Sequence, residues 1–455
     1  MTQIYPIREQ GIRWLETILV ERFGHSLHLA QTAHGLLLTM DGGEGGIIFD
    51  TFQDSFTEAL SNLPFTVWDA ESENWQSVLG GPIPAPGIAL LPSPLIIRRG
   101  IDYVIRYDIL GLSYWMLNRI EEIDRTDLDN HGRYPATASH SFKHDYLERP
   151  VVDEWLHILG QVMQRQWPHI QLTQHCFTMK VSHDVDRPSL YGFKTWPMIL
   201  RGMAVDVLLR HKYKHAAIAP WVHLNTKDQL YPGDPANTFD WIMDVSEEHG
   251  LTSAFYFICG RTAAKMDADY EPEHPAIRAL MSRIHKRGHE IGLHPSYGTY
   301  QSSDSIKLEA DRLRRIADEQ GIEQAVWGGR MHYLRWQHPT TLRALDDAGM
   351  AYDSSLGYAD RPGFRCGTSF EYPAFDPVAG ESLSLRIRPL IAMETTILAP
   401  HYLGLGSGEL AKQKLEQLKR SCKAVGGCFT LLWHNCQLEK AEERRLYQQL
   451  LTTHI

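Results

Sequence analysis

Apolar and polar positions follow two different rhythms along this chain. Over residues 7–23, Ile12, Leu15, Ile18, Leu19 and Phe23 recur at helical spacing. Short apolar runs at 36–38, 47–49 and 88–91 predict strands, and the Pro/Gly stretch GGPIPAPG at 80–87 predicts a loop. Residues 108–123 predict an amphipathic helix, the polar segment DRTDLDNHGRYPATAS follows, and a further helix is predicted over 151–166. QWPHIQLTQH at 166–175 reads as a connector. From Phe177 onward the rhythm becomes strand, loop, helix, repeated. Strands are predicted at 177–181, 253–258, 289–293, 325–328, 385–389 and 428–433. Helices are predicted at 238–249, 274–287, 304–320, 339–348, 408–424 and 438–453. Such alternation implies an α/β fold with a mainly parallel sheet, open or closed into a barrel. The change of rhythm divides the chain into a smaller N-terminal α/β domain over 1–172 and a (β/α) domain over 173–455. In folds of this kind the chemistry gathers at the C-terminal ends of the strands.

Composition narrows the function classes. The chain has 455 residues, 43% hydrophobic and 22% charged, which is ordinary globular usage and excludes disorder as the main state. A formal net charge of −10 argues against general affinity for nucleic acid or anionic lipid, local basic patches apart. The six cysteines, at 176, 259, 366, 422, 428 and 436, form no C-x-x-C pair and fit free thiols in a reducing compartment. Arg8, Glu9, Arg13 and Glu16 interrupt the apolar positions near the N-terminus, so no signal peptide is read there. No stretch approaches ~18 apolar residues. The expected location is the cytoplasm. The 23 histidines form a pool from which a metal site or proton shuttle can be drawn.

Four segments carry candidate chemistry. In Ser182-His183-Asp184-Val185-Asp186 the two carboxylates fall on one side of an extended chain, where they repel unless a cation or proton intervenes. One metal-bound carboxylate and one free base relieves that repulsion. The competing reading is a helix cap or turn, since Arg187-Pro188 follows. In Gly288-His289-Glu290-Ile291-Gly292-Leu293-His294 the histidines stand five apart, ~140° around a helix and on opposite faces of a strand. One can be a ligand. His294 is better placed, at a strand end, and His289 fits a structural role. In Gly329-Arg330-Met331-His332-Tyr333, Arg330 and His332 share a face if extended. Arg330 suits either the orientation of a carboxylate or a structural ion pair. His434 follows the apolar run 428–433 and suits a general acid. The glycine clusters at 42–46 and 404–408 match neither a phosphate loop nor a nucleophile elbow and read as turns.

In this order the segments resemble the NodB-like polysaccharide deacetylases, carbohydrate esterase family 4, over roughly 177–455. The resemblance rests on SHDVD at 182–186, TSAFYF at 252–257 for the family's ATFFV strand, GHEIGLH at 288–294, RMHY at 330–333 for R-x-P-Y, and LLWH at 431–434. It implies a distorted (β/α) barrel of the NodB type. It implies a metal-dependent hydrolase that removes N-acetyl groups from a sugar or oligosaccharide in surface polysaccharide biosynthesis. By the resemblance Asp184 is the catalytic base, His434 the general acid and Arg330 the residue that orients the base. Asp186 and His294 bind a divalent metal, with zinc expected. The family's second metal histidine falls on Gly298, which has no side chain. Three outcomes follow: a substitute ligand, with His332 preferred and His183 also a candidate; a water; or a dead site. HGRYPATAS at 131–139 resembles the uncharacterised domain that precedes such modules in some bacterial surface-polysaccharide proteins. Rival functions are hydrolysis of a non-sugar amide or cyclic imide, and sugar binding without catalysis. The stretch 191–221 reads as helices covering the barrel mouth or as a peripheral membrane contact, where lipid-linked oligosaccharides are assembled. Trp196, Trp221, Trp336 and Trp433 either stack on sugar rings or pack in the core. No nucleic acid partner is expected.

Overall fold

A computed structural model describes residues 4–33 and 35–452. The first helix, Glu9–Phe23, buries Ile12, Leu15, Ile18, Leu19 and Phe23 together with Trp14. It stops at Gly24, whose left-handed φ of 75° lets its N–H reach the Val20 carbonyl. It packs beside a five-stranded sheet in the order Leu27–Thr32, Gly35–Met40, Ile47–Phe49, Asp102–Ile105, Ile96–Arg99. Three expectations fail in this region. Residues 88–91 form no strand, and Leu90 is 83% exposed. The strand lies instead within the expected loop, at Ile83–Pro86, antiparallel to Phe65–Trp68. A two-stranded ladder tolerates Pro84 and Pro86, which lack a donor, and all four residues of Ile83–Pro86 are buried. Helix Ile109–Leu117 is buried on every side rather than amphipathic. Helix Val151–Gln166 matches the sequence expectation. The 172/173 boundary falls in the irregular segment between Gln166 and Thr178.

The second region is built on a nine-stranded sheet. Its order is Ala392–Met393, Cys428–Leu432, Thr178–Val185, Ser253–Ile258, Glu290–His294, Gly328–Gly329, Tyr352–Asp353, Glu381–Ile387, Tyr372–Asp376. Every neighbouring pair is parallel except the last. Helices Phe239–Glu248, Pro275–Lys286, Ser303–Glu319, Thr340–Asp347, Glu409–Ala424 and Ala441–Leu451 lie where helices were expected, and position 453 is outside the described residues. The strands Tyr352–Asp353 and Ala392–Met393 were not foreseen, because two-residue strands carry no periodicity, and the antiparallel edge strand Tyr372–Asp376 was not foreseen either.

Side chains show that the sheet curls on itself. Arg330, just after Gly328–Gly329, donates to Asp184 of Thr178–Val185 at 2.9 Å, although three ladder steps on a flat sheet span roughly 14 Å. Lys180 of Thr178–Val185 lies 3.7 Å from Glu371, beside the far edge strand. The architecture is thus a distorted (β/α) barrel preceded by a smaller α/β domain. The two edge strands share no ladder among the described residues, which is the distortion.

One continuous apolar core runs through both regions. Buried polar contacts reinforce the join. Glu122 accepts from Arg119 Nε at 2.8 Å and from Arg365 Nε at 2.9 Å, and all three are buried. Asp153 accepts from Thr368 Oγ1 at 2.7 Å and from Ser369 N–H at 2.9 Å. The N-terminal region is fixed against the barrel and reaches its mouth.

Candidate active site

Four parallel strands deliver the chemical groups to one end of the barrel. Asp184 lies in Thr178–Val185 and Asp186 just beyond it, His294 closes Glu290–His294, Arg330 follows Gly328–Gly329, and His434 follows Cys428–Leu432. The glycines before Arg330 have a steric cause. A Cβ on Gly328 would meet the Tyr352 ring at 2.0 Å, and one on Gly329 the Leu293 carbonyl at 2.7 Å. His332 opens a tight turn in which Tyr333 takes a left-handed φ of 62°.

Asp186, His294 and His332 converge, with one ligand-type atom of each within 4.8 Å of the others. Each imidazole is held from behind. His294 Nδ1 donates to the Arg330 carbonyl at 2.5 Å, and His332 Nδ1 faces Asp267 Oδ1 at 3.1 Å. Their Nε2 atoms therefore point inward, at 3.3 Å and 3.7 Å from Asp186 Oδ1. His294 Nε2 and Asp186 Oδ1 are buried with no hydrogen-bond partner among the described residues. Two inward-facing nitrogens with anchored backs and an orphaned carboxylate oxygen form a donor set suited to a divalent cation such as zinc. Electrostatics agree. Burial disfavours the His332 imidazolium, but Asp186 and Asp267 outweigh it and raise its pKa to about 9. The carboxylates demand a positive charge at this point, which a metal ion can supply as well as a proton can.

Asp184 sits alongside, its Oδ2 at 3.6 Å from His294 Nε2 and its Oδ1 bonded to Arg330 Nη1 at 2.9 Å. Arg330 is fully buried, and its other donors go to the Ser354 carbonyl and hydroxyl, each at 3.0 Å. Across the site, His434 Nδ1 donates to Glu394 Oε1 at 2.6 Å, and its Nε2 lies 3.5 Å from Asp186 Oδ2. Burial works against charging His434, yet Glu394, then Asp186 and Asp184, raise its pKa well above the ordinary range.

The other sequence candidates separate clearly. His183 turns the opposite way on its strand. Its Nδ1 bonds the Trp433 carbonyl at 2.7 Å, its Nε2 approaches Ser253 Oγ at 3.2 Å, and burial lowers its pKa to about 3. His289 meets the Ser253 N–H at 3.1 Å. Gly298 lies outside the trio, its N–H on Thr262 Oγ1 at 2.7 Å. Trp336 and Trp433 are buried, whereas Trp196 and Trp221 are exposed.

Sequence reading missed Asp267 and Glu394. Both sit outside long periodic elements: Glu394 directly follows a two-residue strand, and Asp267 lies in the loop beyond Ser253–Ile258. It also missed the N-terminal contribution to a cavity of about 580 Å³ that opens over the site. Arg133 lines that cavity, donating to the Tyr333 carbonyl at 2.8 Å, and the His131 carbonyl accepts from Arg335 at 2.7 Å.

Residues 48–168 match a family of unknown function (DUF7033). No curated protein matches the chain. Solved structures similar to it include a protein of Mycobacterium smegmatis described as a polysaccharide deacetylase, at 16% identity over 61% of this chain and 84% of that one, with a TM-score of 0.39. A second, from Pseudomonas aeruginosa PAO1 and described likewise, is 13% identical over 61% of this chain and 84% of its own, with a TM-score of 0.36. Puue allantoinase is 12% identical over 72% of this chain and 91% of its own, with a TM-score of 0.37. TM-scores this low carry no argument about activity, and both fold and site rest on the topology and distances above.

Proposed function

We propose that this protein is a divalent-metal-dependent hydrolase that removes an N-acetyl group from a saccharide. The observation that carries this reading is the convergence of Asp186, His294 and His332 between a clamped carboxylate, Asp184, and a carboxylate-backed imidazole, His434. Asp186, His294 and His332 would hold the cation, His332 serving where the family pattern has its second histidine. A bound divalent ion supplies Lewis-acid polarisation of an amide carbonyl and lowers the pKa of a water.

The remaining steps belong to side chains of this chain. Arg330 fixes Asp184 Oδ1, which leaves Oδ2 to accept the proton of the attacking water. Water adds to the amide carbon, the C–N bond then breaks, and the nitrogen must leave as an amine. His434 gives it the required proton from Nε2, because Glu394 holds Nδ1 and favours the imidazolium. Glu394 and Asp267 are positioning residues that act through His434 and His332.

Acetate release from N-acetylated chito-oligosaccharides by zinc-loaded protein tests the reading, with hydrolysis of a cyclic imide run in parallel. Acetate formation that Asp184→Asn abolishes supports it. Ring opening without acetate release would move the activity to the imide class. Saccharide binding with neither reaction would make the protein a binding module.

A further inference from the structure

Helices Trp196–Leu208 and Tyr213–Asn225 form a pair that leads from the first site strand to the next. Inside the pair, Tyr191, Ile199, Ala219 and Val222 pack as a small core of their own. Away from that core, each helix turns an apolar stripe to solvent. At ~100° per residue, positions 196, 200 and 207 fall within ~40° of one another, and 213, 217, 221 and 224 within ~80°. Trp196 (44%), Leu200 (61%), Tyr213 (62%) and Trp221 (61%) are exposed on these stripes, and Leu208 and Leu209 at the bend reach 71% and 75%. Trp196 meets His223 edge-on at 4.8 Å, which joins the start of the first helix to the end of the second.

The charge around the stripes is opposite to that of the protein. The whole chain carries −10, yet residues 194–227 hold six Lys or Arg against one acid, Asp206. That acid is buried and bonded to Tyr191 and Arg210. Arg201, Lys214 and Lys227 are exposed and make no ion pair among the described residues. The same helix pair borders the site through another side. Lys194 and Met198 line the catalytic cavity together with Arg187, Arg261 and Lys265, and none of these four cations is in an ion pair among the described residues.

We propose that this helix pair docks on an anionic lipid bilayer and holds the mouth of the cavity against it. Aromatic and leucine side chains enter the interface while the flanking cations meet lipid phosphates. Resting on the hydrolase reading above, the substrate class follows: a saccharide carried through phosphate on a membrane lipid, its anionic linkage met by Arg187, Lys194, Arg261 and Lys265. The docking itself does not depend on the reaction.

Co-sedimentation of the full chain with phosphatidylcholine vesicles, with and without phosphatidylglycerol, tests the docking. The protein is expected to pellet with the anionic vesicles and to be released by salt. Binding is expected to fall about tenfold or more in Leu208→Ser/Leu209→Ser/Trp221→Ser and in Arg201→Glu/Lys214→Glu. Circular dichroism and acetate release from a soluble N-acetylated oligosaccharide are expected to be unchanged in both. Protein that stays in the supernatant, or pellets equally well in both folded variants, overturns the proposal while leaving the hydrolase reading intact. Light scattering supplies a second route to refutation. A dimer that becomes monomeric in the apolar variant, without vesicles, would assign the face to a second copy of this chain.

Discussion

Replacing Asp267 by Asn probes the site through a residue that stands behind His332, outside the trio Asp186, His294 and His332. Four donors converge on its carboxylate. Oδ1 accepts from Tyr297 N–H at 2.7 Å and faces His332 Nδ1 at 3.1 Å, and Oδ2 accepts from Ala263 N–H at 2.7 Å and Thr262 Oγ1 at 3.3 Å. An amide has one accepting oxygen, so one backbone N–H must face an NH2 group whichever way Asn turns. The negative charge behind His332 is lost as well, so Nε2 becomes a weaker and less firmly aimed donor. Losing an outer partner of this kind weakens metal binding about 10–100-fold, or about 1.4–2.8 kcal/mol. A crowded, unsatisfied N–H adds ~1–3 kcal/mol to the cost in stability, so thermal unfolding must accompany the measurement. Competition with a chromophoric chelator gives the zinc dissociation constant. Asp267→Asn is expected to raise it about 10–100-fold while the variant remains folded. An unchanged constant in the folded variant would refute the idea that Asp267 acts through His332.

Other perturbations separate the roles. Asp184→Asn is expected to lower turnover by about 10²–10⁴ yet keep zinc, which kinetics and elemental analysis together check. Glu394→Gln removes the charge behind His434 and is expected to lower kcat by about 10²-fold or more with KM little changed. Glu122 tests the join between the two regions. Burial raises its pKa, but Arg365 and Arg119 outweigh this and bring it from 4.5 to about 2. A folded-state pKa below the unfolded one means the stabilisation is complete above about pH 4.5 and is lost as pH falls towards 2. Urea unfolding is expected to show that loss in the wild type. Glu122→Gln should be less stable at neutral pH by ~3–5 kcal/mol and show a flatter profile over the same window. Parallel profiles would contradict the role given to the pair.

The sequence made the strand ends legible because each lies just beyond a run of apolar residues. Asp184, Asp186, His294, Arg330 and His434 were found in that way, and the structure brings them together. His332 required a further step, the missing side chain at Gly298. What escaped notice has local causes. Asp267 sits in a loop, and Glu394 follows the two-residue strand Ala392–Met393, where no alternation can develop. Ile83–Pro86 reads as a loop because of its prolines, and only its antiparallel partner makes it a strand. Ile109–Leu117 reads as amphipathic because its polar neighbours, such as Asp108 and Glu122, find partners inside the protein rather than in water. The reach of Arg133 to the cavity, and the bond from Arg335 to the His131 carbonyl beside it, depend on contacts roughly 200 residues distant in sequence, which no local pattern encodes.

The central claim is that Asp186, His294 and His332 form a metal site. Elemental analysis of protein purified without chelator measures it directly, with His294→Ala and His332→Ala alongside. About one zinc-class ion per chain is expected in the wild type, with loss in each variant. Wild-type protein that carries no metal and takes up none on titration with zinc, or a His332→Ala variant that binds zinc as tightly as the wild type, would contradict the account.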